Sequence, residues 1–171
     1  MYLTELFNRA VDWKYTNVES KHSRAEFNVD EYEYTVDFMN NHEINSISLG
    51  GPAEDFKDLW EVNFTTYSKA LGSRDDITGT GNTIAVFSTV INIVESTIKQ
   101  QDIQSLVFTS DSDEPSRISL YDRMAKNFAK SGWRYIDNRE IRARSRGRKE
   151  YHLFLLTKQP HPHSQIPGTK A

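Results

Sequence analysis

Two glycines, Gly79 and Gly81, precede a long apolar segment that begins at Thr83. If a helix begins there, its first backbone N–H groups have no partner within the helix, and the positive end of its dipole lies at the turn. Because glycine has no side chain, the turn can approach a diphosphate closely enough for these groups to donate to it. The segment from Gly79 through Thr80, Gly81 and Asn82 to Thr83 is therefore a candidate anion-binding site. The alternative is that the glycines only supply a tight turn between a strand and a helix.

Four arginines alternate with small residues near the C-terminus, at positions Arg142, Arg144, Arg146 and Arg148. An extended chain places all four side chains on one side. Such an edge could bind the phosphates of a nucleic acid, an acidic region of a host protein or other partner, or an acidic substrate. The alternative is a solvated hairpin tip whose charges prevent edge-to-edge pairing. No aromatic residue is interleaved, so stacking on bases is not indicated.

The composition removes several kinds of chemistry. The chain contains no cysteine, which excludes disulfides, thiolate catalysis and cysteine-based zinc sites. His161 and His163 lie in the C-terminal segment without acidic neighbours, and His152 lies in an apolar run, so we expect no metal site. The net charge of −3 gives the chain as a whole no attraction for nucleic acid. Catalysis must therefore rest on hydroxyls, carboxylates, imidazoles or backbone amides.

The length and hydrophobicity are typical of one ordinary domain. The 171 residues, of which 37% are hydrophobic, are enough to build a core. No apolar run approaches the roughly 18 to 20 residues that span a bilayer, and the N-terminus lacks the pattern of a signal peptide. We therefore expect a cytoplasmic protein with a single domain at residues 1–158 and a flexible tail at residues 159–171, where proline and glycine recur.

Strands are predicted where apolar and polar residues alternate, or where a short apolar run lies between turn residues. The clearest alternation runs from Tyr32 to Phe38 and from Trp60 to Thr66. The residues before the first of these either continue the strand or bend at Asp30. The other predicted strands are a weaker one from Ile44 to Leu49, a buried one from Leu106 to Thr109, and two closing ones from Trp133 to Asp137 and from Tyr151 to Thr157.

Three helices are predicted from the spacing of apolar residues. The first is short and includes Leu3 to Val11, and the second runs from Thr83 to Lys99. The second has a predicted apolar stripe and an opposite polar side; the stripe consists of Phe87, Val90, Ile91, Val94 and Ile98, and the polar side of Ser88, Asn92, Glu95 and Lys99. The third follows Pro115 and ends at Gly132, which can adopt the left-handed conformation at a helix C-terminus. Its predicted buried face consists of Ile118, Tyr121, Met124, Ala125 and Phe128, with Arg117, Asp122, Arg123, Lys126 and Lys130 outside.

From Trp60 to Thr157, this order of elements resembles the GNAT (GCN5-related) N-acetyltransferases. Family members begin their first long helix with Gln or Arg, two residues, Gly, one residue, and Gly or Ala; the segment from Asp76 to Gly81 keeps both glycine positions. Asp76 replaces the leading Gln or Arg, and its charge would repel a phosphate. The resemblance implies an α/β fold of the α+β kind, with a mixed, mostly antiparallel central sheet flanked by helices, and acetyl-coenzyme A (acetyl-CoA) bound at the glycine turn.

The same resemblance implies catalytic residues. The family's second long helix ends in a Leu-Tyr-Glu-Lys-x-Gly-Phe-like sequence, whose tyrosine protonates the departing thiolate. Alignment on Gly132 places Phe128 at that position, and phenylalanine has no proton to donate; alignment on residues 119–123 offers Tyr121 instead. Tyr121 also fits a core position. Glu61, on the strand before the glycine turn, corresponds to the family's general base, although a carboxylate on the exposed side of a strand is usually only solvated.

Two functions follow as expectations. One is an acyl-CoA-dependent N-acetyltransferase that acts on an amine acceptor, either a small molecule or a protein. The other is a catalytically degenerate GNAT-fold protein that binds a host protein or nucleic acid through the arginine edge. The segments 77–82, 114–117 and 120–121 also resemble small phage-encoded proteins of undefined activity, which would imply an accessory protein in an infected bacterial cell.

Overall fold

The computed structural model describes residues 9–40, 58–68, 72–74, 83–111, 115–136 and 151–158. These residues form a large sheet and two long helices. The strands are β1 (Trp13–Glu19), β2 (His22–Val29), β3 (Tyr32–Met39), β4 (Leu59–Ser68), β5 (Gly72–Arg74), β6 (Ser105–Asp111), β7 (Trp133–Ile136) and β8 (Tyr151–Lys158), and the helices are α1 (Thr83–Gln101) and α2 (Pro115–Lys130).

The sheet has eight strands, seven of which lie in the order β1-β2-β3-β4-β6-β8-β7, with β5 paired only to β4. Among the described strands, every neighbouring pair is antiparallel except β4 and β6, which are parallel. The parallel pair requires a crossover, and α1 lies in that connection. The predicted fold class is confirmed: the protein is an α+β fold with a mixed, mostly antiparallel sheet, in the element order of the GNAT resemblance.

Both helices pack on the same face of the sheet, which we call the helix face. Side chains alternate along each strand, and those of Val36, Val62, Phe64 and Phe108 join residues of α1 and α2 in one buried cluster. The opposite side, which we call the outer face, is polar along β2, β3 and much of β4. A contiguous apolar core of this kind, buried under two helices, supplies the main favourable term in folding.

Helix α1 is buried on more than one side. The predicted stripe of Phe87, Val90, Ile91, Val94 and Ile98 is buried, as expected. Ser88 was predicted on the polar side, but it is also buried and donates a hydrogen bond to the carbonyl oxygen of the residue four positions earlier, at 2.7 Å. The reason is that the chain leading into β1 covers a second side of α1.

That covering chain binds α1 through directional polar contacts. The backbone N–H of Val11 donates to the Thr89 hydroxyl at 3.0 Å, and the Trp13 indole donates to the Asn92 carbonyl oxygen at 2.9 Å. The Tyr15 hydroxyl lies within 3.2 Å of the hydroxyls of both residues 96 and 97. Because these contacts depend on polar groups rather than on apolar periodicity, the strand β1 was not predicted from the sequence.

The observed elements correct several predictions. Residues 3–8 of the predicted first helix lie outside the described part of the chain, but Ala10 and Val11 are not helical. The chain bends at Asp30, which has a positive φ of 54°, and β2 and β3 are separate strands. The short strand β5 lies after Ser68, where no strand was predicted. The predicted strand from residue 44 to residue 49 lies outside the described residues.

Helix α2 agrees with its predicted bounds and with most of its predicted buried face, although Ile118 is only partly buried. Tyr121, Met124 and Ala125 are buried, and Gly132 has a φ of 91°, as predicted for the C-terminal turn. Arg117 was predicted to lie outside but is only 7% exposed. It precedes Tyr121 by four residues, so the helical period places both on the same face.

Candidate functional site

The parallel pairing of β4 and β6 ends halfway along both strands. The two strands pair from Leu59 with Ser105 to Val62 with Phe108. Beyond that pair, residues 63–65 of β4 have ladder partners only in β3, and residues 109–111 of β6 have theirs only in β8, within the described strands. We call this opening, between residues 63–65 and 109–111, the β4–β6 gap. Strand β5 pairs with β4 at residues 66–68 and bounds the gap at the end away from the pair of Val62 and Phe108.

A gap between two strands exposes backbone donors and acceptors that the ladder does not use. Such edges can hydrogen bond to an extended ligand that carries amide groups, as an added strand would. The pantetheine arm of coenzyme A is an extended chain with two amides. The β4–β6 gap is therefore a candidate site for an extended ligand that carries amides.

Glu61 lies beside the last paired residues of β4, on the outer face. Its ladder partners are Met39 in β3 and Val107 in β6. It is half-buried, and burial raises the pKa of its carboxyl group above the ordinary value, while a hydrogen bond from Asn63 opposes that effect. A carboxylate with a raised pKa is a better proton acceptor near neutral pH than an exposed one.

Tyr121 packs at the same level of the sheet, on the helix face. Its ring lies 5.3 Å from that of Phe108 and 5.8 Å from that of Phe154, between ring centroids, and the residue is only 2% exposed. Phe108 is the β6 member of the last β4–β6 pair, and Phe154 is its partner in β8. Tyr121 is thus a core residue that also borders the inner end of the gap.

The two predicted catalytic residues therefore lie on opposite faces of the sheet. Glu61 alternates with Trp60 and Val62, whose side chains belong to the helix-face core together with Tyr121. Both predicted catalytic residues lie next to the pair of Val62 and Phe108, after which strands β4 and β6 part. A group held in the gap would have Glu61 on one side and Tyr121 on the other.

The predicted anion-binding turn is described only at its last residue. Thr83 is the first residue of α1 and is exposed, whereas Gly79, Thr80, Gly81 and Asn82 lie outside the described residues, as does Asp76. The first turn of α1 contains no acidic side chain. The positive end of the helix dipole is thus not opposed by a carboxylate within that turn.

Thr66 was not among the predicted site residues. It is on β4, on the helix face, one residue beyond the gap, and it is 4% exposed. Its hydroxyl oxygen is buried and has no hydrogen-bond partner among the described residues. The sequence contained a signal for it, because the alternation that places Val62 and Phe64 in the core also places a hydroxyl there. An unsatisfied buried hydroxyl next to the gap fits a ligand with amide or carbonyl groups.

Two further buried polar side chains lie on the helix face, near the end of the gap that is away from the pair of Val62 and Phe108. Ser110 is 3% exposed and belongs to the part of β6 that has separated from β4. Arg117 is in the first turn of α2, one turn before Tyr121. With Thr66, these residues make the helix face polar where β4 and β6 separate, in contrast to the aromatic packing around Phe108.

The remaining predicted sites lie outside the described residues or are not assembled. The four arginines from Arg142 to Arg148 lie outside the described part of the chain. Over the described ranges, no group of three or more His, Cys, Asp or Glu side chains is placed to hold a metal ion. Within the same ranges, neither helix is long and apolar enough to span a membrane.

His22 was given no role from the sequence and is the centre of a small polar network on the outer face. Its Nε2 lies 2.9 Å from Asp37, and its Nδ1 lies 2.9 Å from the side-chain nitrogen of Asn17. Arg24 donates to the same Asp37 oxygen at 2.8 Å, and this contact raises the pKa of Arg24. Both ring nitrogens of His22 are thus engaged, so the network joins β1, β2 and β3 and offers no free imidazole for catalysis.

Comparison with solved structures found a likeness in fold. A solved structure described as "Crystal structure of a putative phosphinothricin N-acetyltransferase" superposes with a TM-score of 0.44 and 14% sequence identity, covering 92% of this chain and 79% of the other. That description concerns the other protein alone. No protein-family model matches this chain. No curated protein sequence matches it either.

Proposed function

We propose that this protein is an acyl-CoA-dependent N-acetyltransferase that transfers an acetyl group to an amine. The observation that carries the proposal is the β4–β6 gap, which begins immediately after Glu61 and Val62 and is bordered on the other face by Tyr121. The GNAT-like order of elements supports it. The proposal assigns the cofactor-binding role to residues 79–83 and to Thr66, and the catalytic roles to Glu61 and Tyr121.

In this mechanism acetyl-CoA supplies an activated acetyl group as a thioester. The carboxylate of Glu61 accepts a proton from the acceptor amine, whose nitrogen then attacks the carbonyl carbon of the thioester. As the new C–N bond forms, the C–S bond breaks, and the hydroxyl of Tyr121 donates a proton to the departing thiolate. Turnover should rise with pH through the pKa of Glu61, which burial raises above the ordinary glutamate value.

Isothermal titration calorimetry with acetyl-CoA tests binding directly. Heat should appear at micromolar ligand, and Gly81→Trp should abolish it by blocking the turn. An absence of heat from the wild-type protein at high micromolar acetyl-CoA would overturn the proposal.

Thiol release from acetyl-CoA, measured with a panel of primary amines, tests the catalytic roles. Glu61→Gln and Tyr121→Phe should leave acetyl-CoA affinity unchanged and lower kcat by about 100-fold, the lower end of the usual contribution of a general acid or base. The matched controls are Glu33→Gln, an exposed outer-face residue of β3, and Tyr34→Phe, a buried tyrosine in the part of the core around β2–β4. If a control variant loses as much turnover as its partner, the assignment of that residue is wrong.

A further inference from the structure

The fully exposed charged residues of α2 are all positive, whereas its acidic residue, Asp122, is half-buried. Arg123, Lys126 and Lys130 are exposed, and their spacing of three and four residues places them on one side of the helix. We call these three residues the basic face. With a rise of about 1.5 Å per residue, the basic face is about 10 Å long, at the C-terminal half of α2.

Few acidic groups offset these charges. Within α2, Asp122 is the one acidic residue; it accepts a hydrogen bond from Lys126 at 2.6 Å and lies 3.4 Å from the Tyr135 hydroxyl. Arg123 and Lys130 have no salt bridge with any described residue. Arg134 is exposed just beyond the helix and extends the positive region. The ammonium group of Lys158 lies 5.6 Å from the centre of the Trp133 ring and 4.0 Å from the Asp102 carboxylate, which offsets part of its charge.

The basic face adds to the positive charge that the sequence carries from Arg142 to Arg148. The chain has a net charge of −3, which already favours solubility. Solubility therefore does not explain the positive charge on one side of α2. Lys130 also stabilises the C-terminal end of the helix dipole, but Arg123 and Lys126 are too far from that end for the same explanation. An anionic partner with closely spaced charges would complement the whole basic face.

We propose that the basic face binds the phosphate backbone of double-stranded DNA, without reading its sequence. The exposed large hydrophobic residues in the described part of the chain are Val18, Met39 and Tyr67. They lie in β1, β3 and β4, whereas α2 packs against β6, β7 and β8. Among the described residues, the basic face therefore has no exposed aromatic platform on which single-stranded bases could stack. A duplex has the higher phosphate density and is contacted by cations alone in non-specific complexes. This function is separate from acetyl transfer and uses none of the residues assigned to it.

Fluorescence anisotropy with a labelled duplex of arbitrary sequence tests the proposal. Three phosphate contacts predict a slope of about −2.7 for log affinity against log salt, so affinity should fall about 40-fold between about 50 mM and about 200 mM salt. The triple variant Arg123→Gln, Lys126→Gln, Lys130→Gln should lose this binding. Glutamine preserves helix propensity, and thermal melting checks that the variant is folded.

The matched control changes the same number of charges elsewhere. Lys14, Lys21 and Lys99 are exposed at the β1 side of the molecule, and their replacement by Gln should leave both affinity and salt dependence unchanged. The proposal is overturned if the wild-type protein does not bind the duplex at about 50 mM salt, or if the control loses as much affinity as the triple variant. It is also overturned if the single strand, or a polyglutamate peptide of equal charge, binds at least as tightly as the duplex.

Discussion

Replacement of Thr66 by valine should have opposite effects on stability and on ligand binding. Valine has nearly the shape of threonine but no hydroxyl, and the Thr66 hydroxyl is buried without a hydrogen-bond partner among the described residues. An unsatisfied buried polar group costs about 1–3 kcal/mol, so its removal should raise the free energy of unfolding of the ligand-free protein by about 1 kcal/mol. For a chain of this length, that corresponds to an increase in Tm of about 2–4 °C.

The same substitution should weaken the binding of acetyl-CoA. If the hydroxyl donates to, or accepts from, a group of the ligand in the β4–β6 gap, its loss removes one hydrogen bond of about 1 kcal/mol, which is about a 5-fold decrease in affinity. Urea denaturation measures the first effect, and calorimetric titration measures the second. A variant that is both more stable and a weaker binder is the expected result.

Thr65→Val on the same strand is the matched control. Thr65 lies on the outer face, is half-buried and pairs with Thr35, so its replacement changes β-strand propensity by the same amount without removing a core hydroxyl. If Thr66→Val is less stable than this control, the Thr66 hydroxyl has a partner in the folded protein and the reasoning is refuted. If stability rises but acetyl-CoA affinity is unchanged, Thr66 does not face the ligand.

Two further predictions concern stability. Burial raises the pKa of Glu61 in the folded protein, so folding favours its protonated form. The contribution of Glu61 to the free energy of unfolding is therefore greatest below the unfolded-state pKa and is lost as pH rises through the raised pKa. Glu61→Gln should therefore be at least as stable as the wild-type protein at neutral pH and lose that advantage in acid, as urea denaturation at a series of pH values would show; an advantage that grows in acid contradicts the assigned cause. Gly132→Ala should destabilise the protein by about 1 kcal/mol, because the φ of 91° strains any residue with a side chain, although no atom lies within 4 Å of the added carbon. An unchanged urea midpoint would show that the turn relaxes freely.

The sequence determined the elements whose pattern is strong. Strands β3 and β4 follow from strict alternation between Tyr32 and Phe38 and between Trp60 and Thr66, because side chains point to opposite faces of a strand. Helix α1 follows from the helical spacing of the apolar residues from Phe87 to Ile98, although its β-branched residues favour a strand by propensity. Pro115 and Gly132 marked the two ends of α2, since each has a specific conformational role at a helix terminus.

Elements held by polar or non-local contacts were not predictable in this way. Strand β1 and the residues just before it are joined to α1 by hydrogen bonds from Val11, Trp13 and Tyr15 to residues about 80 positions away, and no local pattern records such contacts. The three residues of β5 are too few to show a period. Arg117 was placed outside because charge usually indicates exposure, whereas its position in the helical period places it on the buried face.

The candidate site shows the same division. From the sequence came the residue types and their approximate positions: a glutamate on β4, a tyrosine on α2 and a glycine turn before α1. Only the tertiary structure decided that β4 and β6 pair for four residues and then part, with Glu61 and Tyr121 on opposite faces of the sheet at that point. Strand pairing joins residues more than 40 positions apart, and the place where it stops depends on how both strands pair with their other neighbours, which no local stretch of sequence specifies.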